Sequence, residues 1–323
     1  MADLPITIIG GYLGTGKTTL INHLLRNAAG LRLAILVNEF GSLSIDEDLI
    51  VPPPTPANAD ATGSGDKNQN LISIAGGCVC CSYGNDLTLA MMDLLALDPR
   101  PDHVVLESSG VALPASIAAS VSLLSGYVVD GIVVLANAET IREQAADTYI
   151  GDTIQKQLEH ADLLILNKVD LIDPAKPEQQ EQTIDWLISE VPEAKVVCTE
   201  HARLPPAVVM QTFLERNQQR KPASGHHDTN LFKTITLNTD HPADAEAIAR
   251  LLAEQFPGVV RAKGFVRTAT GKPATIQVVG RRWAVSEAPD DAAFNLVVIG
   301  QADNFDESAI RQSVAELEVV NQQ

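Results

Sequence analysis

Up to about residue 200 the chain alternates short apolar runs with stretches of helical spacing. Ile6–Ile9, Leu33–Val37, Leu71–Ile74, His103–Glu107, Gly131–Asn137, Leu163–Asn167 and Lys195–Cys198 read as strands. Between them, Thr18–Ala28, Leu87–Leu97, Thr153–His160 and Glu178–Glu190 place apolar residues at helical intervals. Ile132-Val133-Val134-Leu135-Ala136 is apolar without interruption. Such a run suits a strand covered on both faces. The alternation predicts an α/β domain, a doubly wound and mostly parallel sheet.

Two stretches break the pattern. Residues 51–70 begin Val51-Pro52-Pro53-Pro54-Thr55-Pro56 and continue in small polar residues that cannot build a core, which predicts a flexible surface loop. Residues 218–230 contain Lys221-Pro222, Ser224-Gly225 and His226-His227-Asp228 and read as a linker. From Leu231 strand-like Phe232–Leu237 precedes a helix at Ala243–Gln255. Strand patterns follow at Val259–Thr268, Ala274–Val279, Arg282–Val285 and Asn295–Ile299, then a helix at Glu307–Val319. The division expected is 1–217, a linker at 218–230, and a small α+β domain at 231–323.

Charge narrows the list of partners. The net charge of −18 is concentrated in residues 1–200, which hold 27 acidic and 10 basic side chains. That balance speaks against nucleic acid, because there is no surplus of Lys and Arg to displace counterions from phosphates. It suits cations as ligands, and equally a surface kept soluble by charge. No apolar run approaches the roughly 20 residues of a membrane span. The first residues run straight into a strand without a basic leader, so a cytoplasmic protein is expected. In the second domain Arg261, Lys263, Arg267, Lys272, Arg281 and Arg282 form a basic segment. It either docks against an acidic partner such as the first domain or forms a solvated strand face.

Gly11-Tyr12-Leu13-Gly14-Thr15-Gly16-Lys17-Thr18 follows the first strand and opens the first helix. The spacing G-x-x-x-x-G-K-[ST] in that context is a phosphate-binding loop. Its glycines let backbone N–H groups turn inward, and the helix N-terminus adds its dipole. Gly11, Gly14, Thr15, Gly16, Lys17, Thr18 and Thr19 are the nucleotide-binding candidates, with Lys17 on the phosphates and Thr18 on Mg²⁺. Glu107, at the tip of an apolar strand and followed by Ser108-Ser109-Gly110, is the second Mg²⁺ candidate. Lys17, Thr18 and Glu107 would carry the chemistry. Asn167-Lys168-Val169-Asp170 ends another strand. The Asp170 carboxylate can accept from both N1–H and the 2-amino group of guanine, a pair adenine lacks, so GTP is expected over ATP, with Asn167 and Lys168 supporting loop and base.

Three of the four cysteines, Cys78, Cys80 and Cys81, fall in Gly76-Gly77-Cys78-Val79-Cys80-Cys81. Two or three thiolates in one turn can converge on Zn²⁺ or another thiophilic ion. Glu39, a histidine or water could complete a tetrahedral set. Buried small residues and a reversible disulfide are the competing readings of the cysteines. Glu39 equally reads as a strand-end cap, and Asp46 equally as an Mg²⁺ contact or a solvated acid. His226 and His227 read as solvated linker residues or an auxiliary metal site.

Together, Gly10–Thr18, Asn38–Gly41, Gly77–Cys81, Glu107–Gly110 and Asn167–Asp170 resemble the CobW-type branch of the metallochaperone GTPases, related to the HypB and UreG nickel-insertion proteins. Residues 231–320 are similar to that family's C-terminal domain. The resemblance implies a slow GTPase that uses GTP/GDP with Mg²⁺, binds Zn²⁺ or a similar ion at Cys78, Cys80 and Cys81, and couples nucleotide state to delivery to a client metalloprotein. It assigns Glu107 the Mg²⁺ and switch role. The chain departs from the family in having Ser42 where a Glu is usual, in the long 51–70 loop, and in the short histidine tract. No glutamine occupies an obvious switch position, which leaves a client or a second protomer of a homodimer to complete the site. Two other readings remain: an assembly factor with structural zinc, and a small-molecule kinase.

Overall fold

The computed structural model describes residues 3–28, 31–38, 71–76, 85–210, 231–290 and 292–318. Seven strands form the first sheet: β1 (Leu4–Gly10), β2 (Leu33–Asn38), β3 (Leu71–Gly76), β4 (His103–Glu107), β5 (Tyr127–Asn137), β6 (Leu163–Asn167) and β7 (Lys195–Thr199). All neighbours pair parallel, in the order β3-β2-β4-β1-β5-β6-β7. The chain first winds from β1 toward β3 and later toward β7. The carboxyl end of β1 is therefore a switch point, where open α/β sheets bind their ligands.

Helices cover both faces: α1 (Lys17–Arg26), α2 (Asn85–Ala96), α3 (Pro114–Ser122), α4 (Ile141–Ala146), α5 (Gly151–Glu159), α6 (Glu178–Glu190) and the short α7 (Pro206–Val209). Successive strand residues point to opposite faces, so Ile8 and Ile9 are both fully buried yet belong to different cores. Ile6, Ile8, Val104 and Leu106 pack with Met91 and Leu94 of α2 and Val121 of α3. Val134, Leu164 and Leu166 pack with Ile154 and Leu158 of α5 and Leu187 of α6. The predicted strands and helices recur with ends shifted by a few residues. Three helices have no counterpart in the sequence pattern, one of them the four-residue α7. α3 is built from small residues, Pro114-Ala115-Ser116-Ile117-Ala118-Ala119-Ser120, with little contrast between faces, and α4 is only six residues long. β5 starts at Tyr127 rather than Gly131, because Asp130 lies buried inside the strand against a partner from the second domain.

That domain is an antiparallel sheet of β8 (Phe232–Asn238), β9 (Val259–Arg267), β10 (Pro273–Val279), β11 (Arg282–Glu287) and β12 (Asn295–Gln301), ordered β11-β10-β9-β12-β8. Helices α8 (Ala245–Glu254) and α9 (Glu307–Glu316) bury Ile248, Leu252 and Ile310 against one face. From the other face Phe232, Val260, Val297 and Ile299 enter the α1-side core of the first sheet.

The same junction holds charges. Arg261 is fully buried and donates to Asp130 Oδ2 at 2.9 Å and to the Val209 carbonyl at 3.0 Å. Thr7 donates to Asp130 Oδ2 at 3.2 Å and stands 2.8 Å from His103 Nε2. Arg282 donates to the Asp130 carbonyl at 2.8 Å and pairs with Asp162 at 3.3 Å. From β7, Lys195 donates to the carbonyls of Phe256, at 2.9 Å, and Val259. The basic segment therefore divides between the two alternatives. Arg261 and Arg282 dock on the first domain. Arg267 stays within its own domain, donating to the Asp240 carbonyl and lying over the Phe294 ring.

Candidate nucleotide and metal site

The loop between β1 and α1 takes its shape from its glycines. Gly11, Gly14 and Gly16 have φ of 127°, 73° and 105°, a region costly for side chains. A Cβ on Gly11 would meet the Leu135 carbonyl at 2.3 Å, and one on Gly16 would meet Asn167 Nδ2 at 2.5 Å. Thr15 is buried and donates to the Tyr12 carbonyl at 2.9 Å. Helix α1 starts at Lys17 with Gly16 as N-cap and no capping side chain, so its first N–H groups face the loop. Lys17 Nζ donates to the carbonyls of Gly11 at 3.0 Å and Tyr12 at 3.2 Å, which holds the ammonium over the loop.

Thr18 Oγ1 donates to Glu107 Oε1 at 3.3 Å, and Glu107 is buried at the end of β4. A hydroxyl and a carboxylate side by side are hard oxygen donors, the set Mg²⁺ takes alongside phosphate. The residues present therefore fit the ion that the loop implies. Thr19 is exposed on the first turn of α1.

Asn167 joins the loop to the base-reading turn. Its Nδ2 donates to the Thr15 carbonyl at 2.8 Å, and its Oδ1 accepts from the Ala202 N–H at 2.8 Å. Lys168 has φ of 65°, which swings the chain into the short turn Val169–Leu171 that carries Asp170. Facing it after β7, His201 and Ala202 have φ of 52° and 53°. His201 Nε2 lies 4.0 Å from Asp170 Oδ2. Sequence reading missed His201 and Ala202, because consecutive left-handed residues without a glycine leave no signal in the pattern.

A phosphate loop, a paired Thr18 and Glu107, and an Asn167–Asp170 turn on one sheet edge agree with the family models. Residues 5–197 match the CobW/HypB/UreG nucleotide-binding domain, and residues 232–318 match the cobalamin synthesis protein cobW C-terminal domain. The chain belongs to the CobW/HypB/UreG family. It is 30% identical to the zinc chaperone CobW of Sinorhizobium sp, over 97% of each chain. It is 29% identical to the zinc chaperone YjiA of Escherichia coli (strain K12), over 82% of each chain. Among solved structures, that of Zn(II)-bound YjiA GTPase from E. coli aligns over 98% of this chain and 100% of its own, at 23% identity and a TM-score of 0.46.

In this CobW-family chain Cys78, Cys80, Cys81 and Glu39 lie outside the described residues, as do Asp46, His226, His227, the 51–70 segment and the 218–230 linker. The strands that lead into the metal candidates are described. Asn38, one residue before Glu39, pairs with Gly76, two residues before Cys78. Val37 pairs with Glu107 on the other side of β2. Among the described residues no group of three or more His, Cys, Asp and Glu side chains could hold a metal ion. The remaining cysteine, Cys198, sits in β7, where burial pushes its thiol up and away from the reactive thiolate. Among the described residues no helix is long and apolar enough to cross a membrane.

Proposed function

We propose that this chain is a GTP-hydrolysing metallochaperone, which binds Zn²⁺ or another thiophilic divalent ion as cargo and couples its release to nucleotide state. The observation that carries the reading is the register of three adjacent strands. β4 brings Glu107 to Thr18, and β2 and β3 direct the chain toward Glu39 and toward the cysteines from the same edge. A terminal phosphate at the loop and an ion at Cys78, Cys80 and Cys81 would then act on neighbouring segments. That the relatives are zinc chaperones supports the same reading.

Within it, Gly11, Gly14, Thr15 and Gly16 shape the loop, Lys17 neutralises phosphate charge, and Asp170 reads guanine with Asn167 and Lys168 holding its turn. Mg²⁺ held by Thr18 and Glu107 would supply charge neutralisation at the phosphate oxygens. Glu107 thereby links hydrolysis to the strand edge of the metal segment. We assign residues 1–217 to the GTPase domain, 218–230 to the linker and 231–323 to the C-terminal domain. The partner is a client metalloprotein in the cytoplasm. A client or a second protomer of a homodimer would supply the group that orients the attacking water.

The test measures Zn²⁺ affinity with a competing chromophoric chelator in reduced protein, loaded in turn with GDP, with a non-hydrolysable GTP analogue, or with neither. Cys80→Ser runs alongside, and GTP hydrolysis is followed separately. Affinity that changes with nucleotide and collapses in the variant is expected. Tight affinity indifferent to nucleotide would make the zinc structural and sink delivery, because a ligand that binds two states equally shifts neither.

A further inference from the structure

Helix α5 packs its apolar face, Ile154 and Leu158, against the sheet, and the residue between them in the buried zone is a glutamine. Gln157 is 2% exposed. Its amide donates both protons, to the Gly110 carbonyl at 3.0 Å and to the Ala112 carbonyl at 2.9 Å. A leucine would fit the helix pattern equally well. What glutamine adds is two donors, and both are spent on one loop.

That loop is the continuation of β4 beyond Glu107. The Ser108 N–H still bonds the Ile9 carbonyl at 2.8 Å, after which the backbone leaves the sheet. Gly110 lies against the phosphate loop, where a Cβ would come within 3.1 Å of the Leu13 backbone nitrogen and 2.4 Å of Leu13 Cδ2. Holding the carbonyls of residues 110 and 112 fixes the 110–111 and 112–113 peptide planes, and so the place of Gly110 beside the loop. α5 also runs directly into β6, whose end carries Asn167.

We infer that Gln157 is a positioning residue for GTP recognition: it holds the segment Gly110–Ala112 where its backbone meets the terminal phosphate, and so sets how well the protein tells triphosphate from diphosphate. The inference rests on the reading of the loop as a GTP site. Gln157 acts through Gly110 and touches no nucleotide itself.

The experiment uses the full chain with Mg²⁺ and calorimetric titration with GDP and a non-hydrolysable GTP analogue. Wild type is compared with Gln157→Leu and Gln157→Glu, with fold checked by thermal melting. In Gln157→Leu the GDP affinity should stay within about twofold, while analogue affinity falls about tenfold. In Gln157→Glu a protonated carboxyl can still donate one bond, whereas the carboxylate sets acceptor against acceptor. Its analogue affinity should therefore fall, relative to the other two proteins at each pH, as pH rises from about 5.5 to about 8.5. His160 and Asp162, on the same stretch, and Arg142 and Glu143, on α4, are common to all three proteins. An unchanged ratio of analogue to GDP affinity in folded Gln157→Leu, with wild type binding both, overturns the positioning role and leaves the GTP reading intact. Wild type that binds neither nucleotide overturns both. Loss of fold in both variants makes Gln157 purely structural and also overturns the inference.

Discussion

Asp170 stands on the short turn Val169–Leu171 with its carboxylate partly open to solvent and His201 across from it at 4.0 Å. What it offers a base is two acceptor oxygens in one plane, matching the two donors on the Watson–Crick edge of guanine. Asp170→Asn replaces one acceptor with a donor. GTP affinity should fall on the order of 100-fold and affinity for xanthosine triphosphate, whose second exocyclic group is a carbonyl, should rise. Competition binding with the two nucleotides checks this, and an unchanged preference would remove Asp170 from base reading. Gly16 is a second residue whose identity the geometry demands. Its φ of 105° and the Asn167 Nδ2 only 2.5 Å from a would-be Cβ leave no room for a side chain. Gly16→Ala should displace Asn167 from the Thr15 carbonyl and lower GDP affinity by about tenfold or more, read by calorimetry on protein that still melts cooperatively.

Helix starts divide the elements by task. α1 opens on Gly16 without a capping side chain, which keeps its N–H groups available to phosphate oxygens. α8 and α9 open on Asp244 and Asp306, whose carboxylates accept from the N–H groups of Ala247 and Ala309. These caps satisfy the helix internally and leave nothing for a ligand. Asp244→Ala should therefore cost about 1 kcal/mol in stability by urea titration. Nucleotide affinity should stay unchanged. A fall in affinity would mean that α8 communicates with the loop, contrary to its place on the far face of the second sheet.

At the scale of the whole molecule, the two sheets are joined by an apolar seam with a charged centre. Asp130 and Arg261 are both fully buried and 2.9 Å apart. Asp130→Ala leaves the guanidinium without its charge partner and should destabilise the protein by about 3–5 kcal/mol, whereas Asp130→Leu combined with Arg261→Met should recover most of that loss. A double-mutant cycle in denaturant measures it, and additivity of the single costs would mean that the pair is not coupled. His103 adds a pH dependence. Burial, the largest influence, pushes its imidazole down to about 4 despite Asp130, which acts the other way. With the Thr7 proton committed to Asp130, neutral His103 is the donor to Thr7. Below about 6.5 the unfolded chain takes up a proton that the folded one refuses until about 4. Stability should thus fall as pH drops through that window, by about 3 kcal/mol in full. Replacing His103 with Gln should flatten this part of the stability profile, and an unchanged slope would assign it to other groups.

Local patterns carried the parts of this protein that lie in consecutive residues. Period-two and period-3.6 spacing marked most strands and longer helices, and Gly11–Thr18 and Asn167–Asp170 stood out as candidates because the groups concerned sit on a few adjoining residues. Helices α3, α4 and α7 escaped because small residues and short length leave no contrast between faces. What the tertiary structure decided is which polar side chains are buried and against what. A buried amide or charge is tolerated only where a partner arrives from another element. No stretch of sequence shows that Gln157 holds Gly110, that Asn167 bridges Thr15 and Ala202, or that Arg261, outwardly one of six basic residues in a row of strands, is the one enclosed with Asp130.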